Sequence, residues 1–307
     1  MKTKFISYCL FLGSLFIEII NNYVKAQCCS ANPVVGSTNI GLLSKNTLRE
    51  IAFYRYTYSD TYFENDNKRE DIHYLRYSLY SYFGNILSYG ISSKFTIDLE
   101  LGYYLKKVEK TDAGRILSTN GLNNGVVSLK YGLFKTSTFE CTIGSGLKFP
   151  FSSDVKKIDG RPASVSLQPS TNAFGGVFLL FLSKNFPENK FRMFLIHRAE
   201  LLNAYNSMYY MRGNTFFTTL FLSKSISESW SILLQIRNEY RTRDYWYDIP
   251  QKGTGGLLFF ISPQINYNFK GFNLSIVYDV PVYRNVNERQ IVSKYAFSFI
   301  CTKDFNL

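Results

Sequence analysis

"FTIDLELGYYLKK", residues 95–107, places Phe95, Ile97, Leu99, Leu101, Tyr103 and Leu105 on one face and Thr96, Asp98, Glu100, Gly102 and Tyr104 on the other. Successive side chains of an extended strand point to opposite sides, so this alternation describes a strand between two different solvents. In a soluble sandwich the apolar face would meet a protein core and the carboxylates bulk water. In a membrane barrel the apolar face meets lipid and the carboxylates look into an enclosed lumen. The rest of the chain separates the two cases.

The same alternation recurs. Strands are expected at 47–58, 76–90, 95–105, 125–134, 138–149, 173–184, 191–203, 212–224, 230–241, 255–268, 272–283 and 292–301. Short connections (91–94, 135–137, 185–190, 225–229, 269–271) alternate with longer ones (59–75, 106–124, 150–172, 204–211, 242–254, 284–291). Tight turns at one end, long loops at the other and an even strand number are the pattern of an outer-membrane barrel. Tyr103, Tyr131, Trp230, Tyr240, Tyr267 and Tyr283 fall near strand ends, where interfacial aromatic girdles lie. The fold class expected is therefore all-β, a transmembrane antiparallel β-barrel of about twelve strands.

The domain plan begins with a signal peptide at 1–26. Lys2 and Lys4 form its basic start, Phe5 to Ile17 its apolar stretch, and Val24-Lys25-Ala26 its small-residue end. A periplasmic segment, 27–46, and the barrel, 47–307, follow. The apolar stretch is too short for a comfortable membrane helix, and no later segment approaches 18 apolar residues. The bacterial outer membrane is the expected location. Cys28 and Cys29 open the mature chain, while Cys141 and Cys301 fall inside strands; no CxxC pair or zinc spacing occurs.

Asp98, Glu100, Lys130, Glu140, Lys148, Arg237, Glu239 and Asp279 are the candidate lumen-lining residues, since each lies opposite an apolar face. Such charges either line a water-filled path or pair with one another and fill it. Strands 173–184, 212–224 and 255–268 are apolar on both faces, which makes one wall of the lumen apolar and suits either a path for hydrophobic solutes or packing against a folded-in loop 150–172. The sequence names no catalytic residue, cofactor or metal ligand. His197, in "FRMFLIHRAE" (191–200), has Leu195 and Ala199 as same-face neighbours, not the serine and orienting polar group of a nucleophilic site. The carboxylates of "SDTYFENDNKREDIH" (59–73) lack the regular spacing and glycine turn of a calcium loop. The formal charge of +12 is scattered rather than gathered with aromatics on one face, so nucleic acid is not an expected partner. Expected partners are outer-membrane lipid, lipopolysaccharide and a small-molecule solute. Arg241 and Arg243 are candidates for the phosphates of lipopolysaccharide.

"GLKFPF" (146–151) followed by "DGRPASVSLQPSTN" (159–172) resembles the outer-membrane barrel transporters related to the phenol-degradation pathway. Those carry a Gly-x-Lys-x-Pro stretch ending a strand and then a loop with Leu-Gln-Pro. Members from Bacteroidota resemble this chain further in a Cys-Cys start after an Ala-Gln signal end. The resemblance implies a barrel that passes small molecules, hydrophobic or aromatic ones among them. Many such barrels end on an aromatic residue read by the barrel-assembly machinery, another expected partner; here "SFICTKDFNL" carries Phe305 two places before Leu307. A lipid-acting barrel enzyme and a closed structural or adhesive barrel are the alternatives open to the sequence.

Overall fold

The computed structural model describes residues 41–70 and 74–307. The signal peptide, Cys28, Cys29, Asp71 and His73 lie outside the described residues. Eleven strands form the wall: β1 (Thr47–Asn65), β2 (Leu75–Gly90), β3 (Phe95–Thr111), β4 (Gly125–Lys135), β5 (Phe139–Phe149), β6 (Gly175–Phe186), β7 (Phe191–Leu201), β8 (Thr215–Ser225), β9 (Trp230–Arg241), β10 (Gly256–Phe269) and β11 (Phe272–Asn306). Each pairs antiparallel with its sequence neighbours, and β11 also pairs with β1, from Thr47 opposite Asn306 onward. The sheet is closed.

β11 runs through 35 residues, far more than one crossing needs, and it folds back on itself. Its first part pairs with β10 as far as Val286, and its second part pairs with β1. Arg284 donates to the Ser293 carbonyl at 3.2 Å, although nine extended residues span about 30 Å. The Tyr278 and Tyr295 rings lie 6.3 Å apart, and Glu288 has a φ of 53° at the reversal. The element thus supplies two staves, so twelve staves surround the lumen. The loop expected at 284–291 is a reversal inside continuous strand. Two short strands bond outside the main wall, Asn67–Arg69 on β1 and Ile116–Leu122 on β3, so the expected loops 59–75 and 106–124 are largely strand.

The exterior explains why the sequence alternates. Ile97, Leu105, Leu129, Ile143, Leu147, Phe178, Ile232, Ile236, Ile265, Ile276, Val282 and Phe299 all point outward and are exposed. Soluble proteins rarely show contiguous apolar patches beyond a few hundred Å². The band they form is a lipid-facing surface. Rings pair beside four of the short turns: Phe95 with Tyr131, Phe134 with Phe139, Phe186 with Phe191 and Trp230 with Tyr267. Tyr58 with Tyr77 and Tyr295, and Phe216 with Tyr240, occupy the opposite rim. These are the two interfacial girdles.

The interior is filled by side chains. Phe53, Tyr82 and Tyr104 are buried in the lumen, and the rings of Tyr82 and Tyr104 meet edge to face at 4.8 Å. A Cβ at Gly84 would collide with the Phe53 ring and one at Gly102 with Tyr82, so these two glycines make room for large lumenal rings. A second cluster, Phe181, Phe194, Ile196, Phe221 and Leu233, spans β6 to β9 in the periplasmic half. Of the three strands read as apolar on both faces, 173–184 and 212–224 contribute Phe181 and Phe221 to it, while 255–268 does not. A smaller one, Leu258, Phe260, Val286 and Val292, lies toward the other end. Residues 41–43 enter the periplasmic mouth: the Leu42 N–H donates to Glu140 Oε1 at 2.8 Å and the Leu43 N–H to Thr96 Oγ1 at 3.0 Å.

Candidate functional site: the lumen constriction

All eight charged residues assigned inward from the sequence have partners in the lumen or its mouth. Lys130 Nζ lies 2.9 Å from Asp98 Oδ2. Arg198 Nη1 and Nη2 grip both oxygens of Glu100 at 2.7 and 3.0 Å. Arg198 Nε reaches Glu200 Oε1 at 2.9 Å, and Lys148 Nζ reaches Glu200 Oε2 at 2.5 Å. The result is a polar bar, Glu100–Arg198–Glu200–Lys148, joining β3 to β7 and β5 across the lumen. Arg237 contacts Asp279 at 3.3 Å and Glu239 at 3.0 Å, and Arg55 contacts Asp279 at 2.6 Å. That second group lies on the wall formed by β1, β9, β10 and β11, with Ser262 also donating to Asp279 and the Arg237 guanidinium 4.3 Å from the Phe260 ring centre.

The eight separate into these two ion-pair groups, the Lys130–Asp98 pair, and Glu140 at the periplasmic mouth. Arg55, Arg198 and Glu200 complete the networks and were not among the candidates. Arg198 and Glu200 were legible: the alternation that turns His197 outward turns residues 192, 194, 196, 198 and 200 inward. His197 does face outward, with Nδ1 2.9 Å from Thr218 Oγ1 and no carboxylate bonded to it. Lys107 was harder to read. A register shift opposite Ser81 and Tyr82 inserts an extra residue in β3, so Lys107 is buried while Lys106 is exposed.

Above the bar, residues 150–174 fold into the extracellular mouth. Leu167 is buried and Gln168 nearly so. Asn124 holds the segment: its Oδ1 accepts from Ser170 Oγ, the Thr171 N–H and Thr171 Oγ1 at 2.8–3.0 Å, and its Nδ2 donates to the Ala173 carbonyl at 3.0 Å. Lys107 Nζ donates to the Gln168 carbonyl at 2.9 Å and Arg212 Nη2 to that of Val165 at 2.5 Å. Ser164 and Ser166 donate to Glu109. The Leu-Gln-Pro stretch is thus folded into the mouth, and Lys148 of the Gly-x-Lys-x-Pro stretch stands in the bar beneath it.

Between loop and bar remains a cavity of about 50 Å³. Lys107, Lys148, Arg212 and Arg241 line it with a single carboxylate, Glu200, and with Leu202, Phe217 and Pro169. Arg241 turns inward and is buried, its Nη2 2.5 Å from Asp244 Oδ1. Arg241, expected to meet lipopolysaccharide phosphates, is thus occupied by Asp244 inside the rim. Arg243 donates to Asn287 Oδ1 at 2.9 Å. Asp244 organises the rim, accepting from the Gly213 N–H at 2.8 Å and from Tyr210 Oη at 2.5 Å. Burial alone would raise its carboxyl, but the Arg241 and Arg212 charges and these hydrogen bonds hold it below the ordinary carboxylate value. Tyr210 is pushed up, by burial and by the Asp244 charge. Among the described residues no group of three or more His, Cys, Asp or Glu side chains is placed to hold a metal ion.

No family model matches the chain, and no curated protein matches it. Solved structures do. The COG4313 outer membrane channel from Pseudomonas putida F1 superposes with a TM-score of 0.71 at 11% identity, covering 90% of this chain and 100% of that one. The NanC porin gives 0.48 at 11% identity over 82% of this chain and 98% of its own. The TodX deltaS2S3 mutant monoaromatic hydrocarbon channel gives 0.45 at 10% identity, over 86% and 91%. Of these three, only the first likeness is strong enough to argue from, and at its identity it shows the fold: this chain is built as an outer-membrane β-barrel.

Proposed function

We propose that the protein is an outer-membrane channel that passes small molecules, with the infolded segment 150–174 setting its narrowest point. The observation that carries this reading is the layout of the lumen. A purely structural barrel has no need of a basic cavity held open between a polar bar and a loop tethered mainly by hydrogen bonds. The apolar wall of Phe181, Phe194, Ile196 and Phe221 below the bar favours solutes with an apolar or aromatic part. The TodX protein carries monoaromatic hydrocarbons in its name; passage of such compounds is a proposal for this chain. Catalysis is not part of the reading, because His197, the one histidine among the described residues, faces outward beside a threonine. Lipid and lipopolysaccharide around the belt and the barrel-assembly machinery at biogenesis are the proposed partners.

Liposome swelling tests this directly. Proteoliposomes holding the folded protein should swell in isotonic glycine or arabinose faster than protein-free liposomes. Swelling at the protein-free rate, with folding verified by heat-modifiable migration, would contradict a channel.

A further inference from the structure

The chamber beneath the loop combines two chemistries in one place. Four cationic side chains from different elements, Lys107 of β3, Lys148 of β5, Arg241 of β9 and Arg212 before β8, converge on it against one carboxylate, Glu200. Glu109, bonded to Ser164 and Ser166, and Asp244, paired with Arg241, lie nearby and do not line the cavity. A low-dielectric cleft lined mainly by one sign of charge concentrates counter-ions, here anions. Phe217, Leu202 and Pro169 supply an apolar wall in the same space. Further in, each cation of the bar is already engaged with a carboxylate: Lys148 with Glu200, Arg198 with Glu100 and Glu200, and Lys130 with Asp98. Below these, Arg192 lies over the Phe181 and Phe194 rings at 5.9 and 5.1 Å, in the apolar cluster.

We infer that the substrate class is small organic anions with an apolar body, aromatic carboxylates being the simplest case. A carboxylate entering the chamber meets Arg212 and Lys107 first, while its ring takes the Phe217 side. It then advances by exchange: it replaces Glu200 as the partner of Lys148, and Glu100 or Glu200 as the partner of Arg198. The original ion pair re-forms behind it. No bond other than hydrogen bonds and ion pairs is made or broken. Arg is suited to the bidentate hand-over because its planar fork already holds Glu100 through two nitrogens. A cavity of about 50 Å³ is smaller than the ~150 Å³ that holds a benzene, so the ring is admitted only as the 150–174 segment withdraws. The carboxylate group can seat before that.

This inference rests on the channel reading above, and one set of planar-bilayer recordings separates the two. The folded protein is first given a tenfold KCl gradient, where the reversal potential should have the sign of chloride preference. Sodium benzoate should then reduce the chloride current in a concentration-dependent way, while benzyl alcohol, its neutral relative, should not. Arg212→Gln and Lys107→Gln should each weaken the benzoate effect by about tenfold; Lys135→Gln, exposed at the periplasmic end of β4, should leave it unchanged. Should the inward variants fail to fold, the wild type still decides, because raising the KCl concentration should weaken the benzoate effect. Potassium preference, no selectivity, or equal block by benzyl alcohol would overturn the inference while leaving the channel standing. No current at all would overturn the channel reading itself.

Discussion

Arg198 illustrates what a single residue does in a lumen that excludes bulk water. Its guanidinium meets Glu100 and Glu200 together, and Glu200 is shared with Lys148. Removing one member of a buried ion-pair network leaves charges without compensation, at a cost of about 3–5 kcal/mol. Arg198→Ala should lower the urea unfolding free energy of the folded barrel in lipid vesicles by that amount, and a loss under about 1 kcal/mol would contradict the network's role. Sequence alternation was enough to turn Asp98, Glu100, Lys130 and Lys148 inward, because lipid tolerates none of them on the other face. It did not reveal who pairs with whom. Glu100 and Arg198 are 98 positions apart and meet only because the sheet closes. Lys107 was hidden for another reason: strict alternation turns Lys106 inward, and one inserted residue in β3 reverses the two.

At the scale of the element, the 150–174 segment is held in the mouth by short-range chemistry. Asn124, at the junction between the Ile116–Leu122 strand and β4, supplies four of its bonds, and Gln168 bonds back to Lys156 and to the Ala163 carbonyl. The inward reach of this loop could be expected from the sequence. Its partners could not, because those on β3, at Asn124 and at Arg212 come from distant positions. The neighbouring rim turns on Asp244. Its carboxyl is depressed in the folded rim, so its contribution is fully present above the ordinary value near 4 and is lost as pH falls through the lower folded value. Trp246 reports on this rim, donating from Nε1 to the Met208 carbonyl at 3.1 Å. In a Trp230→Phe background its emission should stay constant from pH 8 to about 4 and shift red below that, while Asp244→Asn should be red-shifted already at pH 7. A transition centred above about pH 5, or a silent variant, would contradict the assignment.

At the scale of the whole molecule, the decisive property is closure. β1 pairs with the second half of β11 over its full length, so no edge strand is left among the wall strands and every stave can present apolar residues to lipid. This was the most legible part of the chain. The period-2 pattern, the sorting of connections by length and the aromatic strand ends all follow from the bilayer itself. The final reversal was expected at 284–291, but "VYRNVNERQ" reads as a polar loop, whereas several of its residues stay paired with β10 and β1. What closure does not dictate is whether the enclosed space conducts. Side chains fill much of it, and passage depends on a bar of ion pairs and a loop tethered at Asn124. Single-channel recording of wild type and Asn124→Ala in planar bilayers tests that most directly. The wild type should conduct in small, discrete steps, and the variant, with the loop released, should show a conductance several-fold larger. Two folded, heat-modifiable proteins that both stay silent would contradict the account.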